Sequence, residues 1–284
     1  MAGPLIVVDT PWLLYRSFFA LPRSIVGSGG EPVGALLGTV NAMLTAVTAC
    51  EPRAVTACFG RQDAPYRVEL YPAYHAHRDP MPDALAEQWE RAPALLARFG
   101  WQVLDTDELE ADDLLYSLAR TEEEAGGEAL IMTADRDLFQ AVGPNVSVLE
   151  LTKEGQAVKI GPDEVKRRYG VEPELVPDFI ALRGDPSDGL PGAKGIGPKT
   201  ARDLLLEHGS LEQAIARSHR ERPRVGEALR SQADELRDFR KIATLVRVPV
   251  KRPPDAATDY AGGAEAAREY GMRRLAARLE RVTG

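Results

Sequence analysis

Between Glu110 and Asp137 the chain sets two acidic clusters around one helix and one strand, and few folds accommodate that arrangement. The first cluster, Glu110-Ala-Asp112-Asp113, opens a helical segment that runs through Arg120 to a polar turn. An apolar run, Ala129-Leu-Ile-Met-Thr133, then leads into Ala134-Asp135-Arg136-Asp137. In open α/β sheets the carboxyl ends of strands and the starts of the following helices face one crevice. Acids crowded there repel one another, and their pKa values rise unless a cation sits among them. The simplest such cation is a divalent ion on hard oxygen ligands, Mg²⁺ or Mn²⁺. Each cluster also has a purely structural reading. Asp107-x-x-Glu110 fits a capping box, Asp112 and Asp113 complement a helix dipole, and Asp135 can serve as an N-cap.

Strand and helix signals alternate along the first half of the chain, which points to a mostly parallel sheet. Pro4-Leu-Ile-Val-Val reads as a buried strand ending in Asp9, and Trp12 to Phe19 has helical spacing. A glycine-rich loop at Gly27–Gly30 precedes a long helix from about Val33 to Ala49. Ala54–Phe59 is a second strand, ending at Gly60, and a helix is expected from about Pro82 to Phe99. Gln102–Leu104, Val146–Leu151 and Ala157–Ile160 complete the strands, with a helix expected just after Asp137. Residues 61–83 show no convincing element. There Tyr66, Arg67, Tyr71, Tyr74, His75, His77 and Arg78 lie among four prolines, and cations interleaved with aromatics suit single-stranded nucleic acid. Segments 162–170, 172–183 and 204–245 look helical, and Ala264–Val282 reads as one last amphipathic helix.

Gly184-Asp185-Pro-Ser187-Asp188 leads into a glycine hairpin, Gly192-Ala-Lys194-Gly195-Ile196-Gly197-Pro-Lys199-Thr200. The glycines leave backbone amides open to close approach, and the helix begun at Pro198 presents its N-terminus to an anion. Such a helix-hairpin-helix element grips a phosphodiester backbone without reading bases. A Walker A reading fails, because Pro198 intrudes before Lys199 and no strand precedes the loop.

The candidate acids are Asp9, Glu110, Asp112, Asp113, Asp135, Asp137, Asp185 and Asp188, and these eight match the formal net charge of −8 over 284 residues. A negative total therefore does not exclude a polyanionic partner, since the placement of charge decides binding. Two divalent ions about 4 Å apart on such acids can break a phosphodiester. Cys50 and Cys58 lack zinc-ligand spacing and read as reduced thiols of a cytosolic protein. No signal peptide or transmembrane run is expected.

These motifs resemble the bacterial 5′-nuclease family, the flap endonuclease and 5′–3′ exonuclease domains found alone or at the start of DNA polymerase I. The likeness is carried by Val7-Val-Asp9, Tyr71-Pro-Ala-Tyr74-His-Ala-His-Arg78, Glu110-Ala-Asp112-Asp113, Thr133-Ala-Asp135-Arg-Asp137, and Gly184-Asp185-Pro-Ser-Asp188 with its hairpin. With no polymerase portion following, a standalone member is expected. The resemblance implies an α/β fold, a PIN-like (Rossmann-like), mostly parallel central sheet flanked by helices, with a helical helix-hairpin-helix (H3TH) region. The expected division is 1–175, including an arch at about 65–95, and 176–284.

The resemblance further implies that Asp112, Asp135, Asp137 and Asp185 hold one metal with Asp113 and Asp188 in support, and that Asp9, Glu110 and Asp112 hold the other. Tyr74 would stack on a base, and Arg78 and Arg16 would hold phosphates near the cut, beside His75. Arg67 joins the expected nucleic-acid contacts. The hairpin, from Gly192 through Lys194, Gly195, Ile196, Gly197, Lys199 and Thr200, would hold duplex DNA, with K⁺ on its carbonyls. The expected partner is DNA with 5′ flaps, 5′ ends or a single-stranded 5′ arm, bound by a cytoplasmic, nucleoid-associated monomer with no membrane partner. Two departures stand out. Gly60 occupies a position where the family usually has a ligand Asp, and His75 replaces the usual Lys. They leave open a flap-binding protein with weak or lost nuclease activity, and they predict that Gly60→Asp restores a metal ligand. Asp63 is expected to lie outside the crevice.

Overall fold

The computed structural model describes residues 3–152 and 156–283. Its elements in chain order begin with β1 (Leu5–Asp9), α1 (Thr10–Ala20), α2 (Gly34–Cys50), β2 (Ala54–Cys58), α3 (Pro65–Leu70), α4 (Asp83–Ala97), β3 (Gln102–Leu104), α5 (Ala111–Glu124) and β4 (Ala129–Met132). A 3₁₀ turn at Asp137–Ala141, β5 (Val146–Leu151), β6 (Ala157–Ile160), α6 (Pro162–Tyr169) and α7 (Val176–Arg183) follow. Then come α8 (Pro198–His208), α9 (Leu211–Ala216), α10 (Pro223–Ser231), α11 (Ala233–Ala243), α12 (Tyr260–Glu269) and α13 (Arg273–Thr283).

Among the described residues six strands form one sheet in the order β3-β2-β1-β4-β5-β6, parallel except for the antiparallel edge strand β6. All five residues of β1 are buried, as a parallel strand covered on both faces requires. Alternate β1 side chains enter two cores. Leu5 and Val7 pack with α5, α7 and the helices from α8 to α11, whereas Ile6 and Val8 pack with α2, α4, α12 and α13. Full burial of each such side chain contributes about 1.5–3 kcal/mol. The strand order reverses direction between β1 and β4, so their carboxyl ends flank the crevice of the sheet. No helix among the described residues is long and apolar enough to cross a membrane.

Three sequence expectations need correction. The proline-broken segment contains a helix, α3, whose Pro65 sits at the first helical position, where a missing N–H costs nothing. The segment after Asp137 forms only a 3₁₀ turn. The single last helix is two, broken at Gly271, which holds φ +72 where an added Cβ would lie 2.3 Å from the Ser28 nitrogen.

Candidate metal centre and nucleic-acid interface

Asp9 ends β1 and caps α1: its Oδ1 accepts from the Trp12 N–H at 3.0 Å, and its Oδ2 from the Thr133 hydroxyl at 2.7 Å. Thr133 follows β4, so this bond joins the two strands at the reversal of strand order. Asp135 Oδ1 accepts from the Asp137 N–H at 2.8 Å, which turns the chain and sets both carboxylates toward the same cleft. Asp112 enters from the first turn of α5, and Asp185 and Asp188 from the loop after α7. These acids, with Glu110, line one cleft of about 1300 Å³.

Electrostatics inside the cleft are unfavourable without a cation. Burial, then Asp135, Asp9 and Glu110, push the Asp112 carboxyl well above the ordinary range. Burial, then Asp135, Asp188 and Asp185, do the same to Asp137. Asp135 is pushed up to about 7, by burial first and then by Asp188, with the Asp137 N–H opposing. Burial also raises Asp9, against the pull of Trp12 and Thr133. Among the described residues no hydrogen bond or ion pair reaches the side chains of Asp112 or Asp137. Carboxylates crowded in one cleft, two of them without a hydrogen-bond partner among the described residues, fit a hard divalent cation.

Other acids in the set already have protein partners. Asp185 is tied to Arg183 Nη2 at 2.8 Å and to the Ser187 N–H at 2.8 Å. Glu110 Oε1 accepts from the Ala64 N–H at 2.8 Å, and Oε2 lies 3.1 Å from the Tyr74 hydroxyl and 2.7 Å from Arg67 Nη1. Asp113 is wholly buried and outside the cleft. It accepts from Arg67 Nη2 at 3.0 Å and the Val246 N–H at 2.7 Å, and its Oδ2 meets the Glu110 N–H at 3.4 Å. Its expected supporting place at a metal therefore gives way to the anchoring of α5.

The same packing corrects two nucleic-acid assignments. Arg67 borders the cleft but is 2% exposed, with its guanidinium between Glu110 and Asp113 and its Nε on the Ile242 carbonyl, so its charge is committed to the protein rather than to a phosphate. Tyr74 is 5% exposed, with its ring stacked on His75 and its hydroxyl on Glu110, so it is not placed to stack on a base. Arg16 lies over the Trp12 ring at 5.7 Å and is not among the residues lining the cleft. Arg61, Arg78 and Arg136 do line it. A further wall went unread in the sequence. Trp12, Tyr15 and Phe19 of α1 share one helix face and line the cleft with Trp89, and Phe19 is 67% exposed. Their spacing of three and four residues was the available signal.

Gly60 has no room for a side chain. An added Cβ would lie 2.5 Å from the Ala111 nitrogen and 2.7 Å from the Glu110 carbonyl carbon, because the loop pairs with residues 109–110 through the Arg61 N–H. The expectation that Gly60→Asp restores a ligand is therefore reversed. The variant should lose about 1–3 kcal/mol of stability from overpacking, read by denaturant unfolding. It should gain no metal affinity by calorimetry, and tighter binding would count against this account. His75 is likewise enclosed, its ring between Asp63 and Asp188.

In the hairpin, Lys194, Gly195, Gly197 and Lys199 are exposed, Thr200 is half-buried, and Gly197 precedes the first turn of α8. Ile196 is buried in the core beneath, and Gly192 packs against the Arg183–Gly184 backbone. The Lys194 N–H is held by Gln232 Oε1 at 2.7 Å.

A floor of carboxylates where a parallel sheet reverses its strand order, opening beside a glycine hairpin, defines the class of metal-dependent nucleases. Residues 4–170 match the family model described as 5′–3′ exonuclease, N-terminal resolvase-like domain, and residues 171–259 match 5′–3′ exonuclease, C-terminal SAM fold. The chain belongs to the 5′–3′ exonuclease family. It is 34% identical over 99% of its length to a 5′–3′ exonuclease of Mycobacterium tuberculosis, covering 98% of that protein. It is 40% identical over 98% of its length to a thermostable DNA polymerase I of Thermus thermophilus, of which it spans 32%. Among solved structures it is similar to the T5 D15 protein co-crystallised with metal ions, at 15% identity, a TM-score of 0.73 and 99% coverage of both chains, which bears on the fold alone.

Proposed function

We propose that this chain hydrolyses the phosphodiester backbone of 5′-flapped or 5′-ended DNA with divalent ions, Mg²⁺ or Mn²⁺, held in the acid floor. The observation that carries the reading is the convergence of Asp9, Asp112, Asp135 and Asp137 on one cleft, where among the described residues no ion pair reaches Asp112 or Asp137 and Arg67 offsets only part of the repulsion on Asp112. Asp112, Asp135, Asp137 and Asp185 would hold one ion, with Asp188 in support, and Asp9 and Asp112 the other, with Glu110 at its side. Bound there, such ions lower the pKa of a water and stabilise the attacking and leaving oxygens. The chain's own residues do the rest. Arg78, Arg61 and Arg136 meet phosphates at the rim, and the Trp12–Tyr15–Phe19 wall offers stacking surface to a single strand. A T5 flap endonuclease of similar fold, solved as a pseudo-enzyme–product complex with DNA and metal ions, supports DNA as the substrate.

The duplex would lie on the hairpin of the helical part (176–284), with K⁺ on its carbonyls, and the 5′ arm under residues 65–95 of the nuclease part (1–175). In a net-acidic chain whose arginines mostly face carboxylates, Lys194, Lys199, Arg217, Arg220, Arg222 and Arg224 are exposed and form no ion pair among the described residues. A 5′-flap assay with Mn²⁺ tests the reading: cleavage stopped by a chelator is expected, and no cleavage of DNA at any metal concentration would defeat it. For Lys199→Ala we expect weaker duplex binding whatever the sequence, and a log Kd against log salt slope smaller by about one. An unchanged slope would place the lysine off the backbone.

A further inference from the structure

The loop that follows β2 carries an acid, Asp63, with its side chain about half exposed. Its Oδ1 nevertheless lies 2.7 Å from Nδ1 of the buried His75 ring, which also faces the Gln62 carbonyl at 3.2 Å. Both groups are acceptors, and so is Asp188 Oδ1, 3.1 Å from Nε2, so the ring bonds on both sides only as the imidazolium, donating from Nδ1 to the loop and from Nε2 to Asp188. The backbone repeats the connection, since the His75 N–H donates to the Asp188 carbonyl at 3.1 Å. The ring is also stacked on Tyr74, with centroids 3.7 Å apart.

His75 holds φ +55, a left-handed conformation that a residue with a side chain keeps only when its surroundings fix it. Five contacts do so here. The last link is Asp188 itself, whose Oδ1 is shared with Arg78 Nη2 at 3.3 Å and whose carboxylate opens on the cleft. An isolated exposed ion pair would be worth little. This one instead terminates a chain, Asp63–His75–Asp188, that runs from the surface to the acid floor.

We propose that Asp63 is a positioning residue: through the His75 imidazole it fixes the orientation of the Asp188 carboxylate. The loop whose Gly60 can hold no side chain thus supplies an acid three residues later, acting at one remove. The inference rests on the metal-nuclease reading only for its effect on cleavage. Outer partners of this kind, when removed, cost 10–100-fold in metal affinity or activity.

The test is a double-mutant cycle in the full chain. It uses Asp63→Ala, and His75→Gly, which keeps the left-handed backbone and removes the ring. Two readouts are taken, Mn²⁺ affinity by calorimetry without DNA and single-turnover cleavage of a 5′ flap. Asp63→Ala is expected to weaken Mn²⁺ binding and slow cleavage by about tenfold or more, and to change neither in the His75→Gly background. Asp63→Asn, which keeps an acceptor for Nδ1–H, should recover most of the loss. Equal losses in both backgrounds, or no loss of Mn²⁺ affinity, would overturn the proposal. A wild-type chain that binds Mn²⁺ with the expected cycle but cuts no flap would defeat the nuclease reading and leave the positioning role standing.

Discussion

Asp135→Asn should abolish cleavage of a 5′-flapped duplex while leaving the duplex bound. Asp135 acts on every other aspartate of the floor, being repelled by Asp188, Asp9 and Asp185 and in turn repelling Asp112 and Asp137. Replacing its carboxylate by an amide removes the charge that a divalent ion needs and leaves the turn-forming oxygen on the Asp137 N–H. Metal-assisted stabilisation of the transition state is worth several kcal/mol, so a loss of about 10³-fold or more is expected in the single-turnover rate. Binding by the hairpin and the unpaired arginines should stay within about twofold, since a neutral substitution in the floor removes no phosphate contact. If wild type and variant both bind the flap and neither cuts it, the chain is a branched-DNA binder that has lost its chemistry.

The same variant has a signature in stability. The folded-state value of Asp135 lies near 7, above the ordinary value near 4 for an unfolded Asp. The fold therefore binds more protons than the unfolded chain in that interval, and stability present below about pH 4 is lost as pH rises through about 7. Metal-free wild type should melt at a lower temperature at pH 8 than at pH 5, and added Mn²⁺ should restore it by mass action. Asp135→Asn should flatten the pH dependence and weaken the response to Mn²⁺. A metal-free melting curve that rises steadily from pH 5 to pH 8 would contradict the repulsion on which the site is argued.

Much of this was legible in the sequence because the signals were strong and local. Leu5-Ile-Val-Val ending in Asp9, and Ala129–Met132 leading to Asp135, are continuous apolar runs of a length that fits a strand covered on both faces. Their acids follow at strand ends, so a parallel sheet places them without further information. What stayed hidden depends on contacts distant in sequence. Arg67 and Asp113 are 46 residues apart, and Arg67 and Ile242 are 175 apart. A basic residue among tyrosines reads as a phosphate contact until the fold shows that two acids enclose it. Gly60 likewise read as a lost ligand, whereas the close approach of residues 109–111 leaves no space for one. Asp63 reads from sequence as lying outside the crevice, because its link to the cleft passes through the ring of another residue.

Arg67→Ala should be the most destabilising single substitution near the site. Burial alone disfavours the cation, yet Glu110 and Asp113 outweigh that penalty and hold Arg67 charged. Nη1 lies 2.7 Å from Glu110 Oε2 as a charge contact rather than an aligned hydrogen bond, while Nη2 and Nε bond to Asp113 and to the Ile242 carbonyl. One side chain thus joins α3, the start of α5 and the end of α11. Truncation leaves two acids without their cation at the N-terminus of α5. Removing one partner of a buried pair costs about 3–5 kcal/mol, and for a chain of this size that corresponds to a fall of roughly 10 °C in Tm. Because the residual cost is uncompensated charge, Arg67→Met combined with Glu110→Gln and Asp113→Asn should recover part of the lost stability. A single-variant loss below about 1 kcal/mol, the range of an exposed pair, would mean that water reaches the guanidinium and that α5 is anchored by something else.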